Sequence, residues 1–324
     1  MKILSIDGGG YLGLATASFI EETERHFGKK FHTQFDMFCG TSTGAIIALA
    51  LASGMDGRQI REMYEDFGPK VFPSYFPGHR YLRMAKGLFC SMYPNAALRE
   101  SLGKAFGEQT LGDIQASGKR VLVTAFCLTN GYPRIFKTNH GDGLTKQRMI
   151  PLRDIAMASA AAPSYLPIVE ITDPETGVTE QFCDGGVFAN HPGMLGFTEA
   201  TFHCSAVPGN VKVLSLSTPR ACLAEHRSAK LFMGTSLNRS ALAWALQWNL
   251  PSIFIDGTTA ITDQALRRLI ATTPSAVYDR IVFDRPAGTD MDIATSKATA
   301  TLRHLGHNEA STAEMRARIT KFLN

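Results

Sequence analysis

The chain has 324 residues, of which 44% are hydrophobic and 19% charged. That composition excludes intrinsic disorder and suffices for one large α/β domain or two smaller ones. A formal charge of +4 makes no case for a nucleic-acid polymer as partner and does not oppose contact with an anionic membrane surface.

Lys2 to Asp7 reads as a strand that enters a glycine turn at once, not as the charged region and apolar run of a secretory signal. No apolar stretch reaches the roughly 20 residues that a membrane span needs. The expectation is a cytoplasmic protein whose membrane contact is peripheral. The strand opens into Asp7-Gly8-Gly9-Gly10-Tyr11-Leu12-Gly13, with a helical pattern behind it. Successive glycines bring bare N–H groups close to a ligand, and at a helix N-terminus such donors favour negative charge. Two functions fit this loop. It can stabilise the oxyanion of an acyl-transfer intermediate. Alternatively, Gly8, Gly10 and Gly13 satisfy G-x-G-x-x-G and could hold the pyrophosphate of a nucleotide-dependent oxidoreductase.

A dinucleotide site calls for an acidic residue at the end of the second strand. That strand, Phe35 to Cys39, runs instead into Gly40-Thr41-Ser42-Thr43-Gly44 and then Ala-Ile-Ile-Ala-Leu-Ala. Strand, G-x-S-x-G turn and apolar helix are the context of a nucleophile elbow, with Ser42 as the nucleophile. A further helix is expected from the N-cap Asp56 to about Phe67. From Pro69 to Pro94, Phe72, Tyr75, Phe76, Tyr81, Phe89 and Tyr93 interleave with His79, Arg80, Arg83 and Lys86. Such a segment suits a lipid interface or an irregular cover over the core.

A strand follows from Arg120 to Leu128 and a helix from Pro151 to Ala162. Gln181 to Asp184 is a short strand closed by Gly185-Gly186. Buried there, Asp184 would gain the basicity to serve Ser42 as general base without histidine. A Ser-His-Asp triad using His191, His203 or His226 stays open as the competing arrangement. A helix spans roughly Pro192 to Phe202, a strand Lys212 to Ser217, and two helices lie near the C-terminus. Trp244 and Trp248 form a stripe suited to a core or subunit contact. His304 and His307 belong to no recognisable ligand set, so no metal or cofactor is expected. Cys39, Cys90, Cys127, Cys183, Cys204 and Cys222 form no C-x-x-C pair and read as free thiols, mostly buried. Alternating strands and helices imply an α/β fold: a three-layer α/β/α sandwich with a mostly parallel central sheet. One domain over residues 1–324 is expected, with 69–94 as a candidate lid or interfacial segment and 228–324 as a helical C-terminal part of the same domain.

Asp7-Gly8-Gly9-Gly10, Gly40-Thr41-Ser42-Thr43-Gly44 and Asp184-Gly185-Gly186, in that order, resemble the motifs of the patatin-like phospholipases. Ala158 to Pro167, Asp184 to Pro192 and Val213 to Ser217 support the likeness, which covers roughly residues 1 to 220. The resemblance implies a Ser42–Asp184 dyad, an oxyanion hole made by the Gly8, Gly9 and Gly10 amides, and hydrolysis of acyl chains from membrane glycerophospholipids. One departure is Leu12, where many members carry arginine; leucine cannot support negative charge as arginine does. Tyr11-Leu12 and Asp290-Met291-Asp292-Ile293-Ala294 resemble one bacterial branch in particular, the anti-phage (CBASS) phospholipase effectors switched on by a cyclic dinucleotide. That likeness implies activation by such a nucleotide, homo-oligomerisation and uncovering of the site by residues 69–94. A non-catalytic nucleotide sensor on the same fold is the remaining alternative.

Overall fold

The computed structural model describes residues 1–74, 87, 89–140, 147–220 and 249–323. Cys222, His226, Trp244, Trp248 and most of the basic and aromatic part of the candidate lid lie outside the described residues.

Strand β1 (Lys2–Ile6) leads through the glycine loop into α1 (Gly13–Phe27), which ends at Gly28 in the left-handed conformation. A short α2 (Phe31–Gln34) precedes β2 (Met37–Thr41), and α3 (Thr43–Ala52) starts one residue after that strand. Helix α4 (Gly57–Val71) opens on a capping box between Asp56 and Gln59, as the aspartate predicts, and runs four residues beyond Phe67. Then come α5 (Ala96–Phe106), α6 (Leu111–Ala116), β3 (Arg120–Cys127) and β4 (Tyr132–Lys137). Helix α7 (Leu152–Ser159) is shorter than expected, ending before the turn at Ala160 to Pro163. The rest comprises β5 (Val169–Thr172), β6 (Thr179–Asp184), α8 (Gly186–Ala189), α9 (Gly193–Phe202), β7 (Lys212–Leu216), α10 (Asn249–Ala271), β8 (Val277–Ile281), α11 (Ser296–Ser311) and α12 (Ala313–Leu323).

Among the described residues the strands form one sheet in the order β5-β6-β3-β2-β1-β7-β8, with β4 also on β3. The run from β3 to β8 is parallel, whereas β4, β5 and β6 pair antiparallel. The sheet is therefore mixed, more so than the sequence suggests, because β3 and β4 are joined as a hairpin without a crossover helix. Alternate residues of each strand face opposite layers. Leu4, Ile6 and Phe38 pack with α1, α3 and the helices around them, while Ile3, Met37, Cys39 and Val213 pack under α9 and Leu266 of α10.

Strand β8 lies in the region expected to be helical. Val277-Tyr278-Asp279-Arg280-Ile281 mixes charged and apolar side chains and lacks the apolar run of a strand covered on both faces. Its charges are accommodated only by tertiary partners: Arg318 of α12 grips Asp279, and Arg280 grips Asp7.

Candidate active site

Ser42 stands between β2 and α3 with φ 55° and ψ −123°, a strained conformation for a residue bearing a side chain. The strain is held from several sides. The Ser42 N–H donates to Ser159 Oγ at 2.9 Å, and that hydroxyl donates to the Thr124 carbonyl at 2.7 Å. Gly40 and Gly44 are required by close approach: a Cβ on Gly40 would meet the Gly44 and Ala45 backbone, and one on Gly44 the carbonyls of Ile6 and Asp7. The turn thus pushes Ser42 out at the C-terminal ends of the parallel strands, where open α/β sheets place their ligands.

Asp184 ends β6. Thr41 is level with Thr124 on β3, and Ala125 with Asp184, so the sheet register brings Ser42 and Asp184 together across β3. Ser42 lies near enough to the Asp184 carboxylate to lower its pKa, and the Gly186 N–H donates to Asp184 Oδ1 at 2.7 Å. Burial pushes the carboxyl up to about 6, although Ser42 and the Gly186 N–H both pull against that rise.

The glycine loop lies beside the pair. Gly8 donates to the Asn190 carbonyl at 3.3 Å and accepts from Thr218 Oγ1 at 2.6 Å. Its amide is thus already engaged, which narrows the expected hole of Gly8, Gly9 and Gly10. Among the described residues the Gly9 and Gly10 amides donate to no acceptor. Both glycines, Ser42 and Asp184 line a cavity of about 370 Å³ whose walls are mainly apolar, including Ile46, Phe67, Val71, Leu98 and Tyr165. That volume is ordinary for a small-molecule site, about 300–1,000 Å³.

A family model for patatin-like phospholipases matches residues 4–195. The chain is 30% identical to the cGAMP-activated phospholipase of Pseudomonas aeruginosa (strain BWHPSA011 / Pa011), over 96% of this chain and 88% of that protein. It is 33% identical to the cGAMP-activated phospholipase of Escherichia coli (strain TW11681), over 61% of this chain and 55% of that one. To the cUMP-AMP-activated phospholipase of Escherichia coli it is 28% identical, over 66% and 63% of the two chains. The chain belongs to the patatin-like phospholipase family.

This patatin-like protein is a hydrolase, which overturns the oxidoreductase reading of Gly8, Gly10 and Gly13. Physically, β2 delivers a strained serine where a dinucleotide fold would put its ribose-binding carboxylate. The triad alternative also finds no support in its described histidines. His191 is buried, with Nδ1 3.4 Å from Asp7 and Nε2 3.0 Å from the Tyr278 hydroxyl, and His203 is exposed at the end of α9. His304 bonds Asn308, and His307 bonds Glu21. Of the cysteines, Cys39, Cys127 and Cys183 are buried and Cys90 is exposed. Leu12, at the family's arginine position, is buried in the core beside α1. Sequence reasoning assigned no role to Ser159, Asn190, Thr218 or Arg280, all of which hold the elbow or the glycine loop. The first two stand inside family-like segments, which was the only available signal; the other two gave none.

Among the described residues no helix is long and apolar enough to cross a membrane.

Proposed function

We propose that this hydrolase releases fatty acyl chains from membrane glycerophospholipids through a Ser42–Asp184 dyad and is switched on by a cyclic dinucleotide. Asp184 takes the Ser42 proton as Oγ attacks the ester carbonyl. The Gly9 and Gly10 N–H groups stabilise the oxyanion, and the protonated Asp184 returns the proton to the leaving alcohol. Asp184 then takes a proton from water, which attacks the acyl-enzyme, and the fatty acid leaves as Ser42 is reprotonated. The observation that carries this reading is that Ser42 and Asp184, a buried carboxylate pushed up to about 6, line one apolar cavity suited to an acyl chain.

The nucleotide switch rests on the relatives, which are activated by two different cyclic dinucleotides. A cytoplasmic protein that meets the inner membrane surface peripherally, and that self-associates when active, is the assembly this reading entails. The chain acts as one domain: β8 extends the sheet and Arg280 reaches back to the glycine loop. A lid over residues 69–94 is supported at its described ends, where Phe72 lines the cavity and meets Tyr93 edge-on at 5.1 Å.

The test is fatty-acid release from phospholipid vesicles by wild type, Ser42→Ala and Asp184→Asn, each alone and with cyclic GMP–AMP or cyclic UMP–AMP. Release that needs both residues and one nucleotide is expected. Release without nucleotide removes the switch. No release under any condition, with no fluorophosphonate labelling of Ser42, removes the catalytic reading.

A further inference from the structure

The first residue of the glycine motif is a buried anion. Asp7 follows β1 directly, its side chain is 1% exposed, and Gly9 and Gly10 are its second and third neighbours. Any negative charge that builds up on a substrate oxygen at those amides builds up two to three residues along the chain from this carboxylate. Unanswered, Asp7 would oppose the oxyanion that the loop is shaped to accept.

The answer comes from a distant part of the chain. Arg280 of β8 is 3% exposed and spans both oxygens of Asp7, with Nη1 3.1 Å from Oδ1 and Nη2 2.5 Å from Oδ2. To reach Asp7 it must cross β7. The register aligns Ser5, Ser215 and Arg280 on neighbouring strands, and both serines are fully buried. Their small side chains leave the lane the guanidinium occupies, and Ser215 Oγ accepts from Nη1 at 2.6 Å. A valine or isoleucine at either position, the usual choice for such strands, would fill it. Burial alone would raise the Asp7 carboxyl, but Arg280 and His191 hold it well below the usual carboxylate range.

We infer that Arg280 is a positioning residue for the hydrolytic reaction: by neutralising Asp7 across the sheet, it makes the Gly9 and Gly10 amides an effective oxyanion hole in a chain whose motif carries Leu12 instead of arginine. The inference rests on the hydrolase reading proposed above, and it assigns a role in the reaction to a residue outside the stretch the family model matches.

The experiment compares wild type with Arg280→Met, Arg280→Lys and the neutral pair Asp7→Asn/Arg280→Met. Turnover of p-nitrophenyl butyrate and the rate of fluorophosphonate labelling are measured with and without cyclic GMP–AMP. Melting temperatures are recorded so that every assay runs on folded protein. Arg280→Met is expected to lower kcat about 10- to 100-fold while KM changes less than about twofold. Its kcat relative to wild type rises as pH is lowered from about 8 to about 5, because an unpaired buried Asp7 takes up a proton. A merely structural role would leave that ratio flat. Arg280→Lys falls between, and the neutral pair recovers to within about fivefold of wild type. If Arg280→Met does not fold, the neutral pair decides: kcat within fivefold supports the inference, and a larger loss overturns it. Wild-type kcat in folded Arg280→Met, or a loss that neither low pH nor Asp7→Asn relieves, sinks this inference alone. A wild type that neither labels nor turns over sinks the hydrolase reading and this inference with it.

Discussion

In water the Asp184 carboxyl would ionise near 3.8 and hold a serine proton poorly. Burial pushes it up to about 6, so at neutral pH it is mostly ionised yet basic enough to accept the Ser42 proton. The base must be unprotonated to work, so activity belongs above this value. For a soluble ester, kcat/KM is expected to level off above about pH 7 and to fall tenfold per unit well below 6. A pH–rate profile whose acid limb bends near the ordinary aspartate value would mean that Asp184 is not the base. Ser42 and Asp184 stood out as candidates in the sequence because each sits where a strand breaks into glycines. Ser159 and Thr218 were not, since a hydroxyl that steadies a turn from another element leaves no local mark.

At the scale of elements, the site is a meeting of strand ends with one wall of helices. The elbow between β2 and α3, the end of β6 and the glycine loop bring the proposed reacting groups, while α4, α5 and the turn after α7 enclose the apolar space. Leu98 of α5 lines that space and is buried. Leu98→Trp should shorten the cavity without touching the dyad. The ratio of kcat/KM for p-nitrophenyl butyrate to that for p-nitrophenyl palmitate is expected to rise by about tenfold or more. An unchanged ratio would place the acyl chain elsewhere. Elements with simple patterns were readable in advance: α3 is apolar throughout and α4 begins at its aspartate cap. The hairpin strand β4 and edge strand β5 went unpredicted. In β4 only Phe136 is buried, and β5 alternates over just four residues, so only pairing with β3 and β6 makes them strands.

For the whole molecule, the C-terminal part is built into the core. Helix α11 packs along α1 closely enough that a Cβ on Gly306 would strike the α1 backbone, and Thr299 Oγ1 meets the Tyr11 hydroxyl at 2.8 Å. Arg280 is the partner of the buried Asp7 carboxylate. Deleting residues 277–324 therefore strips cover from α1 and leaves the buried Asp7 charge without its arginine, with only His191 beside it, a loss of several kcal/mol from that pair alone. The truncated chain is expected to lose its cooperative thermal transition by circular dichroism. A transition within a few degrees of the full chain would show the N-terminal region to be a domain of its own.

The order of three glycine motifs, through their likeness to a known family, already carried the hydrolase class with a candidate nucleophile and base, and the alternation of strands and helices carried the α/β sandwich, because each motif is a local solution to a local problem of backbone geometry. What the tertiary structure decided is which groups answer one another across the sheet. It removed Gly8 from the free donors by giving it Asn190, placed His191 on Asp7 and Tyr278 and not beside Ser42, and turned residues 277–281 from an expected helical region into a strand. Those outcomes depend on register between segments up to 273 residues apart, as for Asp7 and Arg280. A buried charge finds its partner through the fold, and no periodicity in the sequence encodes that distance.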